Sequence, residues 1–187
     1  MNVPLSPFYT FKNFTDLTEQ ESNEVLHGRN DPEVRRWMKS DRVIAPDEHQ
    51  RFLELLKTSD TQVYFRVERN AQFVGVYSLS DVTSSFGVGG FWISKAARER
   101  MLGLSVVFHS IEYLFDSRSI EAIYGFHLAS NAPAAKLNRL LGFEKMARPD
   151  QADDSMIYLQ LSREKWGRDS VEGTALKNLV ELSERRA

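Results

Sequence analysis

The chain has 187 residues, 42% of them apolar and 27% charged, which suits one globular domain. With 24 Lys+Arg against 26 Asp+Glu its formal charge is -2, which argues against general nucleic-acid binding through a broad basic surface. It has no cysteine, so disulfides, thiolate zinc sites and a cysteinyl-acyl intermediate are excluded. No apolar run approaches the roughly 18 residues of a membrane span. Met1 to Ser6 lacks the charged and apolar regions of a secretory signal, so a cytoplasmic protein without membrane partners is expected.

Phe8 to Phe14 alternates aromatic and polar residues, as a strand does. Thr18-Glu19-Gln20-Glu21 has the capping-box form, and the helix behind it is expected to stop near Gly28. Asn30 or Asp31 caps a second helix with Pro32 in its first turn, and Val34, Trp37 and Met38 follow at helical spacing. Asp47 to Lys57 is a third helix with Phe52, Leu55 and Leu56 on its apolar stripe. Val63–Val67 and Phe73–Leu79 read as strands joined by a turn at Arg69-Asn70-Ala71. Gly87 to Ser94 is a strand whose glycines point to a bulge or a close backbone approach.

Leu104 to Phe115 is helical, Ala122 to Leu128 a strand and Pro133 to Leu141 a helix. Phe143–Arg148 and Met156–Leu161 form a closing strand pair around a polar loop at Asp150–Asp154. Thr174 to Arg185 is a final helix, packed on the domain or on a partner chain, so a homodimer stays open. Strands that alternate with helices after an early hairpin indicate a mixed α/β architecture.

Two segments carry chemistry. Arg100-Met101-Leu102-Gly103-Leu104-Ser105 lies between a strand and a long helix. Such a loop aims backbone N–H groups outward at the positive end of the helix dipole, a natural phosphate site. Asn131 caps the next helix, Ala134 leaves space beside it, and Gly142-Phe143 ends it.

Their order and spacing resemble the GNAT superfamily of acetyl-CoA-dependent N-acetyltransferases over about Val63 to Leu161. The resemblance implies an α+β type of α/β fold, with a mostly antiparallel sheet flanked by helices. It makes residues 1–162 the acetyltransferase domain and 163–187 a helical extension. It places the pyrophosphate of coenzyme A on Arg100, Leu102, Gly103, Leu104 and Ser105. The pantetheine arm would lie along Phe91, Trp92 and Ile93, beside Asn131, Ala134 and Asn138. Ser105 stands where the superfamily usually has Gly or Ala.

A third segment, His27 to Met38 followed by Ile44, His49 and Phe52, is similar to one branch of that superfamily. That branch serves pseudaminic acid biosynthesis and acetylates the 4-amino group of a UDP-linked 4-amino-4,6-dideoxy sugar. The similarity implies that Arg29, Asn30, Trp37, Met38, His49 and Phe52 face the substrate. Trp37, Met38 and Phe52 suit a 6-deoxy methyl group, although aromatics at helical spacing are as readily core. Arg29, Arg35, Arg36, Lys39 and Arg42 suit a nucleotide diphosphate, the alternative being a solvated face.

The resemblance implies direct attack of a neutral amine on the thioester, with an oxyanion held by a backbone N–H near Trp92 and Ile93. Many members have a tyrosine seven residues after the motif asparagine, where this chain has Asn138. An amide is no general acid at neutral pH, though it donates a hydrogen bond. Three explanations stay open: Ser130 or a water replaces the tyrosine, the thiolate leaves unprotonated, or the chain is a silent acyl-CoA-binding module. His127 is the ionisable candidate for the base, unless strand alternation aims it at the core. His27 and His109 show no metal-ligand spacing, so no metal is expected. A protein N-terminus or another small amine is the alternative acceptor.

Overall fold

The computed structural model describes residues 8–149, 153–166 and 171–185. Residues 150–152 of the segment read as a loop lie outside the described residues. Strand β1 (Tyr9–Asn13) leads through a short turn into helices α1 (Glu19–Asn30), α2 (Pro32–Arg35) and α3 (Pro46–Leu56). Then follow β2 (Val63–Arg69), β3 (Gln72–Ser80), β4 (Phe86–Ile93), α4 (Lys95–Glu99) and α5 (Gly103–Ser117). The chain continues through β5 (Ala122–Leu128), α6 (Ala132–Leu140), β6 (Glu144–Lys145), β7 (Met156–Ser162) and α7 (Val171–Arg185). Among the described residues, no helix is long and apolar enough to cross a membrane.

Local chemistry sets the element ends. Glu21 accepts the Thr18 N–H at 2.7 Å while Thr18 caps the Glu21 N–H, completing the capping box of α1. Lys12 donates to both Glu21 oxygens, and these bonds hold the Glu21 carboxyl down at about 2. The expected stop of α1 near Gly28 is corrected: the helix runs on to Asn30. Gly28 makes room rather than ending the helix, because a Cβ there would meet the Trp92 ring at 2.7 Å. Asp31 caps α2, accepting the Glu33 N–H at 2.8 Å, with Pro32 at its start. The helix is shorter than the spacing predicts, so Trp37 and Met38 lie in the turn that follows it.

The seven strands form one sheet in the order β1-β2-β3-β4-β5-β7-β6, antiparallel except where β4 meets β5. The β2–β3 hairpin turns through Asn70 and Ala71, both with positive φ (51° and 61°), the twist that suits a tight hairpin. The closing pair is also corrected. The strand expected over Phe143–Arg148 shrinks to Glu144–Lys145, since the chain soon reaches Pro149, which has no N–H to offer a ladder. Helix α4, capped by Ser94, fills a stretch to which the sequence patterns assign no element.

One face of the sheet packs Val67, Tyr77, Leu79 and Ile123 against Val107, Ile111 and Leu114 of α5. The other packs Val76 against Val25 of α1 and Leu53 and Leu56 of α3. Helix α7 packs onto α5, with Val180 buried in the same core. A polar chain seals that contact. Tyr9 donates to Ser105 Oγ at 2.6 Å, and Ser105 donates to the Glu184 carboxylate, which also meets His109 Nε2 at 3.0 Å. Burial pushes the Tyr9 hydroxyl up to about 12. Glu184→Ala would leave Ser105 and His109 buried without that acceptor. The expected loss is about 1–3 kcal/mol, read as a lower urea midpoint at constant m-value.

Candidate active site

The sheet opens at its one parallel pair. Strands β4 and β5 are in register only from Phe86↔Ala122 to Val88↔Tyr124, although β4 runs on to Ile93 and β5 to Leu128. Each strand stays paired on its other side, β4 with β3 and β5 with β7. Beyond Val88, backbone groups of β4 therefore face the gap without a strand partner, ready to bond an extended amide-bearing arm. The gap widens into a cavity of about 830 Å³. Its walls are β4, β5, the first turn of α5, helix α6 and the turn after α2.

Most of the sequence candidates meet here. Phe91, Trp92 and Ile93 line the cavity from β4, and His127 lines it from the end of β5. Gly103 and Leu104 line it from α5, and Asn131, Ala134 and Asn138 from α6. Arg29, Trp37 and Met38 close the side formed by the N-terminal helices. Because α5 begins at Gly103, the N–H groups of Gly103, Leu104 and Ser105 have no acceptor within the helix. A Cβ on Gly103 would meet nothing within 4 Å, so the space before this helix end is open. An anionic group fits there.

Other candidates lie elsewhere. The Leu102 and Ser105 side chains are fully buried toward the core, because the same turn of α5 that exposes its N–H groups turns these side chains inward. Arg100 is exposed and bonds Gln72 at 3.1 Å, outside the cavity lining. Ser130 is exposed and also outside it. Asn30 is committed to the backbone of Ile44, donating to its carbonyl and accepting its N–H, both at 2.9 Å. His49 is buried with Nε2 3.1 Å from Ser22 Oγ, and burial lowers its pKa. Phe52 packs edge-on against Tyr64 at 5.0 Å within the smaller core cluster.

The basic stretch is mostly answered from within. Arg35 pairs with Asp41, Arg36 with Glu33 at 2.7 Å and Arg42 with Glu48 at 2.8 Å. Arg29 and Lys39, both in the cavity lining, have no ion pair among the described residues. Arg29 Nη1 is buried without a hydrogen-bond partner. Burial, with Arg35 and Arg42 nearby, pulls the Arg29 pKa down. A half-buried guanidinium in a cavity wall, held only by a 3.5 Å bond from Nη2 to the Ser40 carbonyl oxygen, is suited to an anionic ligand.

His127 Nδ1 lies 2.9 Å from the Leu128 carbonyl oxygen. A carbonyl only accepts, so Nδ1 carries the proton and Nε2 keeps a lone pair able to take one. Asn138 is 7% exposed, and its amide has no hydrogen-bond partner among the described residues, which leaves it free to bond a group in the cavity. Sequence reasoning missed Arg98, Tyr124, Phe126 and Tyr77 in the lining. Arg98 is held by Asp31 at 3.0 Å, a contact across 67 positions of sequence that no local pattern announces.

Comparison with known proteins gives the family. Residues 13–144 match the family model described as an acetyltransferase (GNAT) domain. The acetyltransferase PseH of Campylobacter jejuni (strain 81-176) is 28% identical over 128 residues, covering 67% of this chain and 78% of that protein. The crystal structure of Campylobacter jejuni N-acetyltransferase PseH in complex with acetyl coenzyme A aligns with a TM-score of 0.67 and 23% identity. That alignment covers 83% of this chain and 99% of the other. Spermidine N-acetyltransferase from Vibrio cholerae, in complex with CoA and spermine, aligns with a TM-score of 0.74 at 12% identity, over 86% and 99% of the two chains. At such identities the structural likeness establishes the fold.

Proposed function

For a chain that belongs to the GNAT acetyltransferase family and is an acetyl-CoA-dependent N-acetyltransferase, we propose a specific acceptor: the amine of a nucleotide-linked 4-amino-4,6-dideoxy sugar. The observation that carries this reading is Arg29, a half-buried cation with no ion pair among the described residues, set in the cavity wall beside Trp37 and Met38. A diphosphate answers the guanidinium, and a deoxy-sugar methyl suits the aromatic and thioether surface.

In this reading the first-turn N–H groups of α5 at Gly103, Leu104 and Ser105 hold the pyrophosphate of acetyl-CoA. Phe91, Trp92 and Ile93 carry the pantetheine arm, with Asn131 and Ala134 beside it. The acceptor amine attacks the thioester directly. His127 Nε2 takes the proton that the nitrogen loses, and the Asn138 amide donates a hydrogen bond to the departing sulfur. Residues 163–187 act as an extension of the catalytic domain, and the protein works in the cytoplasm.

The test is incubation with acetyl-CoA and a panel of UDP-linked 4-amino-4,6-dideoxy sugars, read by mass spectrometry. The expected result is one added acetyl group on at least one sugar, with stoichiometric thiol release. Acetylation of no sugar in the panel would overturn the proposed acceptor. Thiol release only with a peptide or a polyamine would favour a different small amine.

A further inference from the structure

The root of the gap holds a tyrosine hydroxyl. Tyr77 is on β3, opposite Phe91 of β4, and its ring stacks on the Phe91 ring at 6.4 Å between centroids. Its side chain is 3% exposed, yet it lines the cavity. The hydroxyl lies 3.0 Å from where a Cβ on Gly89 would stand, so it reaches this place because Gly89 has no side chain. Gly125 lies opposite Gly89 on the other strand: a Cβ there would lie 3.7 Å from the Gly89 carbonyl oxygen. Two glycines on the two diverging strands and one tyrosine hydroxyl thus meet where β4 and β5 part.

Among the described residues nothing bonds that hydroxyl. Phenylalanine would fill the same core space, so the hydroxyl adds a hydrogen-bonding group to the cavity and not to the core. Burial also pushes the Tyr77 ionisation well above the ordinary tyrosine range. The group therefore stays protonated across the working pH range and acts as a hydrogen-bond donor, not as a proton source. Its position relative to the cofactor follows from the fold. An arm anchored at the first turn of α5 and laid along β4 from Ile93 runs toward Gly89, about 13 Å away at strand rise. An acyl end carried that far along β4 would lie beside Tyr77.

We propose that the Tyr77 hydroxyl donates a hydrogen bond to the carbonyl oxygen of the acetyl thioester at the closed end of the gap. This rests on acetyl-CoA-dependent transfer and not on the identity of the acceptor. In the transfer a C–N bond forms and the C–S bond breaks with its electron pair left on sulfur. The proton lost by nitrogen ends on sulfur. Tyr77 keeps its own proton throughout and stabilises the charge that grows on the carbonyl oxygen. It supplies, from β3, a side-chain hydroxyl to a site whose α6 position 138 offers only an amide.

Tyr77→Phe in the full chain tests this, since it removes one oxygen and keeps the ring packed on Phe91. Infrared difference spectra of bound acetyl-CoA carrying a ¹³C carbonyl give a readout that needs no acceptor. The carbonyl band is expected at higher frequency in Tyr77→Phe than in the parent protein. The dissociation constant for acetyl-CoA is expected to stay within about threefold, and thermal melting should be no lower. With an acceptor that the parent protein turns over, kcat should fall about 100-fold at nearly constant KM. An unmoved carbonyl band overturns the proposal, and so does an unchanged kcat. Failure of the sugar panel leaves the infrared measurement intact, so the two ideas fail separately.

Discussion

Gly103→Glu is expected to fold as well as the parent chain and to lose acetyl-CoA, with the dissociation constant raised at least about 100-fold by calorimetry. The two halves of this result have different causes. A Cβ at position 103 meets no atom within 4 Å, so the larger side chain enters open space. Position 103 is also the first residue of α5, where a carboxylate interacts favourably with the helix dipole and glycine is a poor helix former. Melting should therefore hold or rise slightly. Binding suffers because the new carboxylate occupies the N–H groups that the pyrophosphate would use and repels its charge. A dissociation constant within threefold of the parent value would mean that the pyrophosphate does not sit at this helix end. A lowered melting temperature would mean that the first turn of α5 is not as open as it looks.

The sequence could reveal this helix end because its signals are local. The Thr18–Glu21 capping box, the Asp31-Pro32 helix start and the Asn131 cap each depend on residues within four positions of one another. What stayed hidden depends on distant partners. Tyr77 reads as one alternating strand residue, and only the absent side chain of Gly89, twelve positions on, turns its hydroxyl to the gap. His49 and Phe52 look like substrate ligands until Ser22 and Tyr64 are seen to occupy them. The place of Ser105 in a loop motif speaks to its backbone N–H and says nothing of its side chain. Its true partner, Glu184, is 79 positions away on α7. Gly28 looks like a helix stop, yet α1 runs through it to Asn30. Gly28 serves close packing against Trp92, a role that sequence does not distinguish from a helix stop.

Arg29→Met is expected to raise KM for the nucleotide-sugar acceptor about 10- to 100-fold, with kcat and the KM for acetyl-CoA nearly unchanged. Methionine retains an apolar stem for packing and removes the charge and its donors. A lost charge-assisted hydrogen bond is worth about 1.5–3 kcal/mol, which sets that range. The same variant should be no less stable than the parent protein, and this separates a ligand from a structural arginine. Arg29 Nη1 is buried without a partner, and its pKa is pulled down by burial first and by Arg35 and Arg42 next, Asp41 opposing weakly. A base whose folded pKa is lowered is one whose charge the fold disfavours, so neutralising it removes a penalty. Arg35, pinned to Asp41 and to the Asn30 carbonyl, supplies the contrast: Arg35→Met should lower stability and change KM little. Salt should raise the acceptor KM more steeply in the parent protein than in Arg29→Met, because one anion contact is gone in the variant. Loss of stability in Arg29→Met at unchanged KM would make the residue part of the scaffold and remove the main support for a diphosphate-bearing acceptor.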